Sequence, residues 1–246
     1  MTATSPTRRA AVLALLVGLS AAWSVAAPLA PGAAAAGKGC AVGPGGRGAA
    51  PLGTRVEAGA TRWPGGVVPY RIGADAKSLA KALGGAMREI EGNSCVRFVR
   101  AEQQQNWIQF VRGEGCYSYV GMVGGRQNFS LGDGCDWHGT VLHELMHALG
   151  FFHEHMRGDR DQHLVLHLEN VDPSLTAQFG KVGTENEATL GAFDQDSIMI
   201  YGSKSFSRNG RPTMTRSDGG LLIDPSARTG LSKGDVGKLR RRYPPA

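Results

Sequence analysis

Residues 143–153 read His-Glu-Leu-Met-His-Ala-Leu-Gly-Phe-Phe-His, and they constrain the fold more tightly than any other stretch of the 246-residue chain. On a helix, a separation of four places His143 and His147 on one face with Cβ atoms roughly 6 Å apart. Two ring nitrogens can then share one ion at about 2.1 Å. Glu144 lies one residue round the helix, outside the ligand row but within reach of a water held by the same ion. Gly150 stands where a helix C-terminus favours a left-handed residue, so the chain can turn sharply and bring back His153 as a third ligand. All seven histidines lie between His138 and His167. The other four, His138, His155, His163 and His167, lack ligand spacing and read as surface histidines or satisfied core histidines.

Three neutral nitrogens leave a tetrahedral zinc ion one open vertex, expected to face solvent beside Glu144, and an open vertex marks a catalytic rather than a structural site. Zinc can lower the pKa of its water to around 7, and Glu144 is placed to take that proton as the hydroxide attacks a carbonyl. The pattern predicts one zinc ion on His143, His147 and His153 and hydrolysis of peptide bonds in a protein or peptide substrate. The chain has no Gly-x-Ser-x-Gly elbow, which argues against a serine hydrolase. The runner-up is a secreted zinc-binding protein that recognises peptides without turnover, and Glu144 is the residue that separates the two.

The N-terminus predicts export. Arg8 and Arg9 precede the apolar run Ala11–Trp23, and Ser24-Val25-Ala26 supplies small residues for cleavage, the pattern of a signal peptide over 1–26. The run is shorter than the roughly 20 residues that cross a bilayer, and the mature protein is expected outside the cell, free of the membrane. Residues 27–53 are almost entirely Ala, Gly and Pro and read as a pro-segment or linker; this alanine-rich start looks bacterial. The formal charge of +6 falls to +4 once the two signal arginines are removed, too mild to point to nucleic acid. Arg240-Arg241-Arg242 reads as the exposed side of a terminal helix, and a monomer is expected. Cys40, Cys95, Cys116 and Cys135 contain no Cys-x-x-Cys pair, so two disulfides are the default in an oxidising compartment.

From residue 54 onward the chain reads as one catalytic domain ending at 246. Trp63-Pro64-Gly65-Gly66 precedes a β-rich run, Val67–Ile72. Leu79, Leu83, Met87 and Ile90 put one apolar stripe on a helix over about 78–91, closed by Gly92-Asn93. Val96–Val99 and Trp107–Val111 are β-like, and Gly113–Gly134 suits short strands and turns. Residues 137–149 form the ligand helix, with Val141, Leu142, Leu145, Met146 and Leu149 inward. Ser232 with Asp235 resembles an N-cap ahead of a last helix whose buried stripe is Val236, Leu239 and Tyr243.

These residues resemble the astacin family of metzincin metalloendopeptidases. The family motif continues past the third histidine with Glu154, Arg157, Asp159, Arg160 and Asp161, and Ser197-Ile198-Met199-Ile200-Tyr201-Gly202 is similar to the family's methionine turn. The resemblance implies an α+β fold, a metzincin-type single domain split by an active-site cleft. Its upper half would hold a mixed five-stranded sheet with two helices, and its lower half would be mostly irregular with a C-terminal helix. It implies that Met199 supports the metal from below and that Tyr201 is an additional zinc ligand at rest, swinging to stabilise the oxyanion during turnover. It implies a Cys116–Cys135 disulfide, and a processed N-terminal amino group, freed by cleavage near 53–54, buried against Glu154. Two departures stand out: Ile200 occupies a position where the family usually has His, and the usual C-terminal partner of Cys95 is missing. Cys40 either pairs with Cys95 or supplies a thiolate to the open zinc vertex to keep the enzyme latent, since no aspartate precedes Asp75.

Overall fold

The β-rich run after the Trp63–Gly66 turn becomes β1 (Val67–Ile72), and it is the strand about which a sheet is organised. β2 (Arg97–Arg100) and β3 (Trp107–Val111) flank it in parallel, β5 (Arg126–Leu131) adds in parallel to β3, and the two-residue β4 (Cys116–Tyr117) closes the edge antiparallel to β5. The order is β2-β1-β3-β5-β4, a mixed five-stranded sheet as the resemblance implies. The computed structural model describes residues 61–182 and 191–244. The expected signal peptide, the 27–53 segment with Cys40, and the start of the catalytic unit at 54 lie outside the described residues.

Two helices cover the sheet. α1 (Ala80–Asn93) follows a 3-10 turn over Ala74–Leu79, so the expected helix over 78–91 begins as a tighter turn and ends two residues later. Its stripe Leu83, Met87 and Ile90 is buried, and Leu79 is buried in the turn ahead. α2 (His138–Ala148) is the ligand helix, and Val141, Leu142, Leu145, Met146 and Leu149 all face the core as periodicity predicts. Phe110 on β3 meets Phe129 on β5 edge to face at 4.8 Å, within the same core. Cys116 on β4 is bonded to Cys135, which anchors the sheet edge to the loop leading into α2. Cys95 is likewise disulfide-bonded.

The segment beyond α2 is mostly 3-10 turns, with a small antiparallel pair of β6 (Leu164–Leu166) and β7 (Met214–Arg216), before α3 (Lys233–Arg242). A second apolar cluster fills this half: Leu164, Val171, Phe179, Ile200, Tyr201, Met214 and Leu222. Met199 belongs to the first cluster and its neighbours Ile200 and Tyr201 to the second, so the methionine turn is the joint between two cores. Ile200 is fully buried there, which accounts physically for an apolar residue at that position. Among the described residues no helix is long and apolar enough to cross a membrane.

α3 corrects the sequence reading in two places. Its capping box forms as expected, the Ser232 hydroxyl accepting from Asp235 N and the Asp235 carboxylate from Ser232 N. Leu239 and Tyr243 are buried, but Val236 is only half-buried, and the inward face is completed by Asp235 and Lys238. Arg242 is not a freely solvated charge: its Nε donates to Leu149 O at 2.9 Å, and Tyr243 Oη donates to the same carbonyl at 2.9 Å. Carbonyls at a helix C-terminus have no partner within the helix. With Trp63 Nε1 donating to Ala148 O at 2.8 Å, α3 and the Trp63 turn satisfy those at the end of α2.

α2 stops in a Schellman turn, with Phe151 N donating to Met146 O and Gly150 N to His147 O. Gly150 has φ 95°, a conformation that L side chains rarely adopt, and a Cβ there would strike the Arg242 guanidinium. Gly150→Ala is expected to lower stability by about 1–2 kcal/mol from backbone strain alone. Urea denaturation checks this, and an unchanged midpoint would count against the turn as the device that returns His153.

Candidate metal and catalytic site

Each of the three sequence-expected ligands is placed by a different local cause. His143 and His147 share a face of α2, and His153 comes back after the Gly150 turn. His143 Nε2 and His147 Nε2 each lie 3.1 Å from His153 Nε2, so three nitrogens converge on one point. Ligands about 2.1 Å from a tetrahedral ion stand roughly 3.4 Å apart, close to this spacing.

The second nitrogens fix the tautomers. His143 Nδ1 lies 2.7 Å from Ile198 O and His147 Nδ1 2.8 Å from Phe151 O. A carbonyl can only accept, so both Nδ1 atoms carry the proton and both Nε2 atoms are bare lone pairs. One N–H on His153 could satisfy at most one of them. A cation answers the whole set, and three imidazole nitrogens suit zinc.

Burial sets the protonation states. His143 and His153 are held well below the usual imidazole range, first by burial and next by the neighbouring His147 ring. His147 is lowered to about 4 by burial, opposed by its hydrogen bond to Phe151 O. All three are therefore neutral near pH 7, the form that binds metal. Glu144, fully buried in the same place, is pushed well above the usual carboxylate range by burial. Both of its carboxylate oxygens are buried with no hydrogen-bond partner among the described residues. Two such buried acceptors, on the residue next to His143, fit a carboxylate waiting for a polar ligand.

Glu154 N donates to Met199 O at 2.8 Å, tying the methionine turn to the loop that carries His153. The ring of Tyr201 sits 4.4 Å from that of His153 and 4.0 Å, stacked, from that of His155. Glu144 is fully buried, and Tyr201, itself buried, lies against the His153 ring on one side of the cluster. Burial, and next the Glu144 carboxylate, push the Tyr201 phenol up, so it stays protonated near neutral pH.

His155, set aside by its spacing, is buried with Nε2 3.1 Å from Gln178 O, and burial lowers its pKa to about 3. Its stacking on Tyr201 is the contact that sequence reasoning missed, because ligand spacing says nothing about tertiary stacking. The remaining motif residues brace the loop after His153. Arg157 donates to both oxygens of Asp159 at 2.9 and 2.8 Å, and Arg160 Nη1 donates to His155 O and Phe179 O. The Glu154 carboxylate, expected to meet a processed N-terminus, accepts from Lys238 Nζ at 2.5 Å and from Asp194 N at 2.8 Å.

The neutral rings give the metal-free protein a defined pH response. Below about pH 6.5 the unfolded chain protonates its histidines, while the folded chain resists until about pH 4 at His147. The unfolded state then binds more protons, so these groups make stability fall as pH is lowered from about 6.5 to 4. Glu144, Glu154 and Asp235, raised by burial, act in the opposite sense, and the four buried rings, His155 included, outnumber them. The thermal midpoint of the metal-free protein is expected to drop across that window. A midpoint that rises on acidification would contradict the assigned burial.

Comparison with known proteins places these features. The family model described as Astacin, a peptidase family, matches residues 55–244. Zinc metalloproteinase nas-15 of Caenorhabditis elegans is 42% identical over 184 residues, 74% of this chain, and the chain spans 32% of that protein's length. Astacin-like metalloprotease toxin 1 of Loxosceles intermedia is 40% identical over 186 residues, covering 74% of this chain and 70% of the toxin. The structure of high choriolytic enzyme 1, a hatching enzyme zinc-protease from the medaka fish Oryzias latipes, superposes with a TM-score of 0.69 at 34% identity. That match covers 79% of this chain and 98% of the fish chain. These three relatives come from animals and lend no support to a bacterial origin.

Proposed function

Because this chain belongs to the astacin family of zinc metallopeptidases, we propose that it is a secreted endopeptidase that hydrolyses peptide bonds in protein or peptide substrates at the His143, His147 and His153 site. The observation that carries this reading is the convergence of three imidazole nitrogens beside a buried carboxylate with no partner among the described residues. Zinc, when bound, supplies Lewis acidity that polarises the scissile carbonyl and acidifies an attacking water.

The chain's own groups do the rest. Glu144 accepts the water's proton on one carboxylate oxygen and returns it to the leaving amine. Its burial, which raises its affinity for a proton, makes it a stronger base than an exposed glutamate. Tyr201, still carrying its phenolic proton, donates to the oxygen that gains charge as the carbonyl is attacked. Since Tyr201 packs against His153 and His155, that role requires the ring to leave its resting place when substrate enters. Export through the 1–26 signal and a catalytic unit over 54–246 complete the proposal.

Glu144→Ala is expected to retain one zinc per chain by metal analysis and to lose on the order of 1,000-fold or more in peptide-cleavage rate. Retained turnover would remove Glu144 as the base, and a metal chelator should abolish activity in the parent protein. Tyr201→Phe is expected to lower kcat on the order of 100-fold with a smaller change in KM. An unchanged kcat would remove its assigned role.

A further inference from the structure

The segments that carry the metal site make buried polar contacts to one helix, α3. Asp235, fully buried, accepts from Ser197 Oγ at 2.5 Å and from Ile198 N at 2.7 Å. The carbonyl of the same Ile198 accepts from His143 Nδ1 at 2.7 Å. A carboxylate, one residue of the methionine turn and a ligand ring therefore form a continuous chain of hydrogen bonds. One turn further along α3, the ammonium of Lys238 bonds Glu154 Oε1, with both side chains 6% exposed. Glu154 directly follows His153, and its N–H donates to Met199 O.

We propose that α3 sets the geometry of the metal site through two buried opposite charges, with Asp235 positioning His143 through the methionine turn and Lys238 positioning His153 through Glu154. The design uses the cost of burying charge: either group, left without its partner, is strongly unfavourable, so each contact holds its loop in one place. Groups that orient metal ligands from behind are worth 10–100-fold in metal affinity. This inference rests on the reading that the three histidines hold zinc.

The test compares the full-length protein with Asp235→Ala, Lys238→Met and, as a destabilised control remote from α3, Ile108→Val in the central sheet. Zinc affinity is measured by competition with a chromogenic chelator, at a temperature where circular dichroism shows every protein folded. The visible spectrum of each cobalt-loaded protein reports ligand geometry independently of activity. Asp235→Ala and Lys238→Met are expected to weaken zinc about tenfold or more and to shift the cobalt bands, with Ile108→Val unchanged in both. If Asp235→Ala does not fold, Asp235→Asn, which keeps the shape, is expected to show the same shift in smaller measure. The proposal is overturned if the α3 variants match the parent in affinity and spectrum, or if Ile108→Val weakens zinc equally. A parent protein that binds no zinc would instead defeat the underlying metal reading.

Discussion

Two imidazole lone pairs aimed at a third ring, in a place from which water is excluded, are the constraint on which the rest of the structure depends. His143 and His147 each spend their only N–H on a backbone carbonyl, which leaves their Nε2 atoms unprotonated at 3.1 Å from His153 Nε2. Holding such groups together without a cation is unfavourable, since buried acceptors want a donor or a metal. The fold must supply rigid supports from several directions: a helix packed into the main core for two rings, a Schellman turn for the return of the third, and a turn whose Ile198 carbonyl holds the His143 ring.

Those supports come from two apolar clusters that meet at the methionine turn. Met199 is packed with the sheet and helices, and Ile200 and Tyr201 with the irregular half. A joint of this kind has little secondary structure of its own, so its backbone groups must be satisfied from outside. α3 does this with Asp235, and its last turn does the same for the end of α2 through Arg242 and Tyr243. A helix far from the ligands in sequence is thereby woven into the site.

Sequence spacing carried the parts of this arrangement that are local. The four-residue separation of His143 and His147, the left-handed requirement at Gly150 and the Ser232–Asp235 cap each depend on neighbours within one or two turns. The resemblance supplied the sheet, which the structure shows, and the roles proposed for Met199 and Tyr201, none of which periodicity would have yielded. β5 was obscured within a glycine-punctuated region because its inward residues include Gln127, whose amide serves Gly121 O and Val123 N and breaks the apolar alternation. Lys238 was invisible for a different reason. Its partner Glu154 is 84 positions away, and a lysine on a basic helix otherwise reads as solvated. Arg242, 93 positions from the carbonyl it caps, was misplaced on the exposed face by the same logic.

One cause, desolvation, acts in opposite directions on the chemical groups gathered here. It favours the neutral form of every titrating group: it lowers the imidazoles, so they offer lone pairs, and raises the carboxylate, so Glu144 binds a proton strongly. It raises the phenol, so Tyr201 keeps the hydrogen it would donate. Under the proposed roles, the same burial leaves the imidazoles as neutral ligands and the phenol as a donor, while for Glu144 it acts on proton affinity: the ionised carboxylate is disfavoured, and once formed it takes up a proton strongly. Tyr201 and its stacking partner His155 belong to this buried surround, since both are buried and the Tyr201 ring lies against His153.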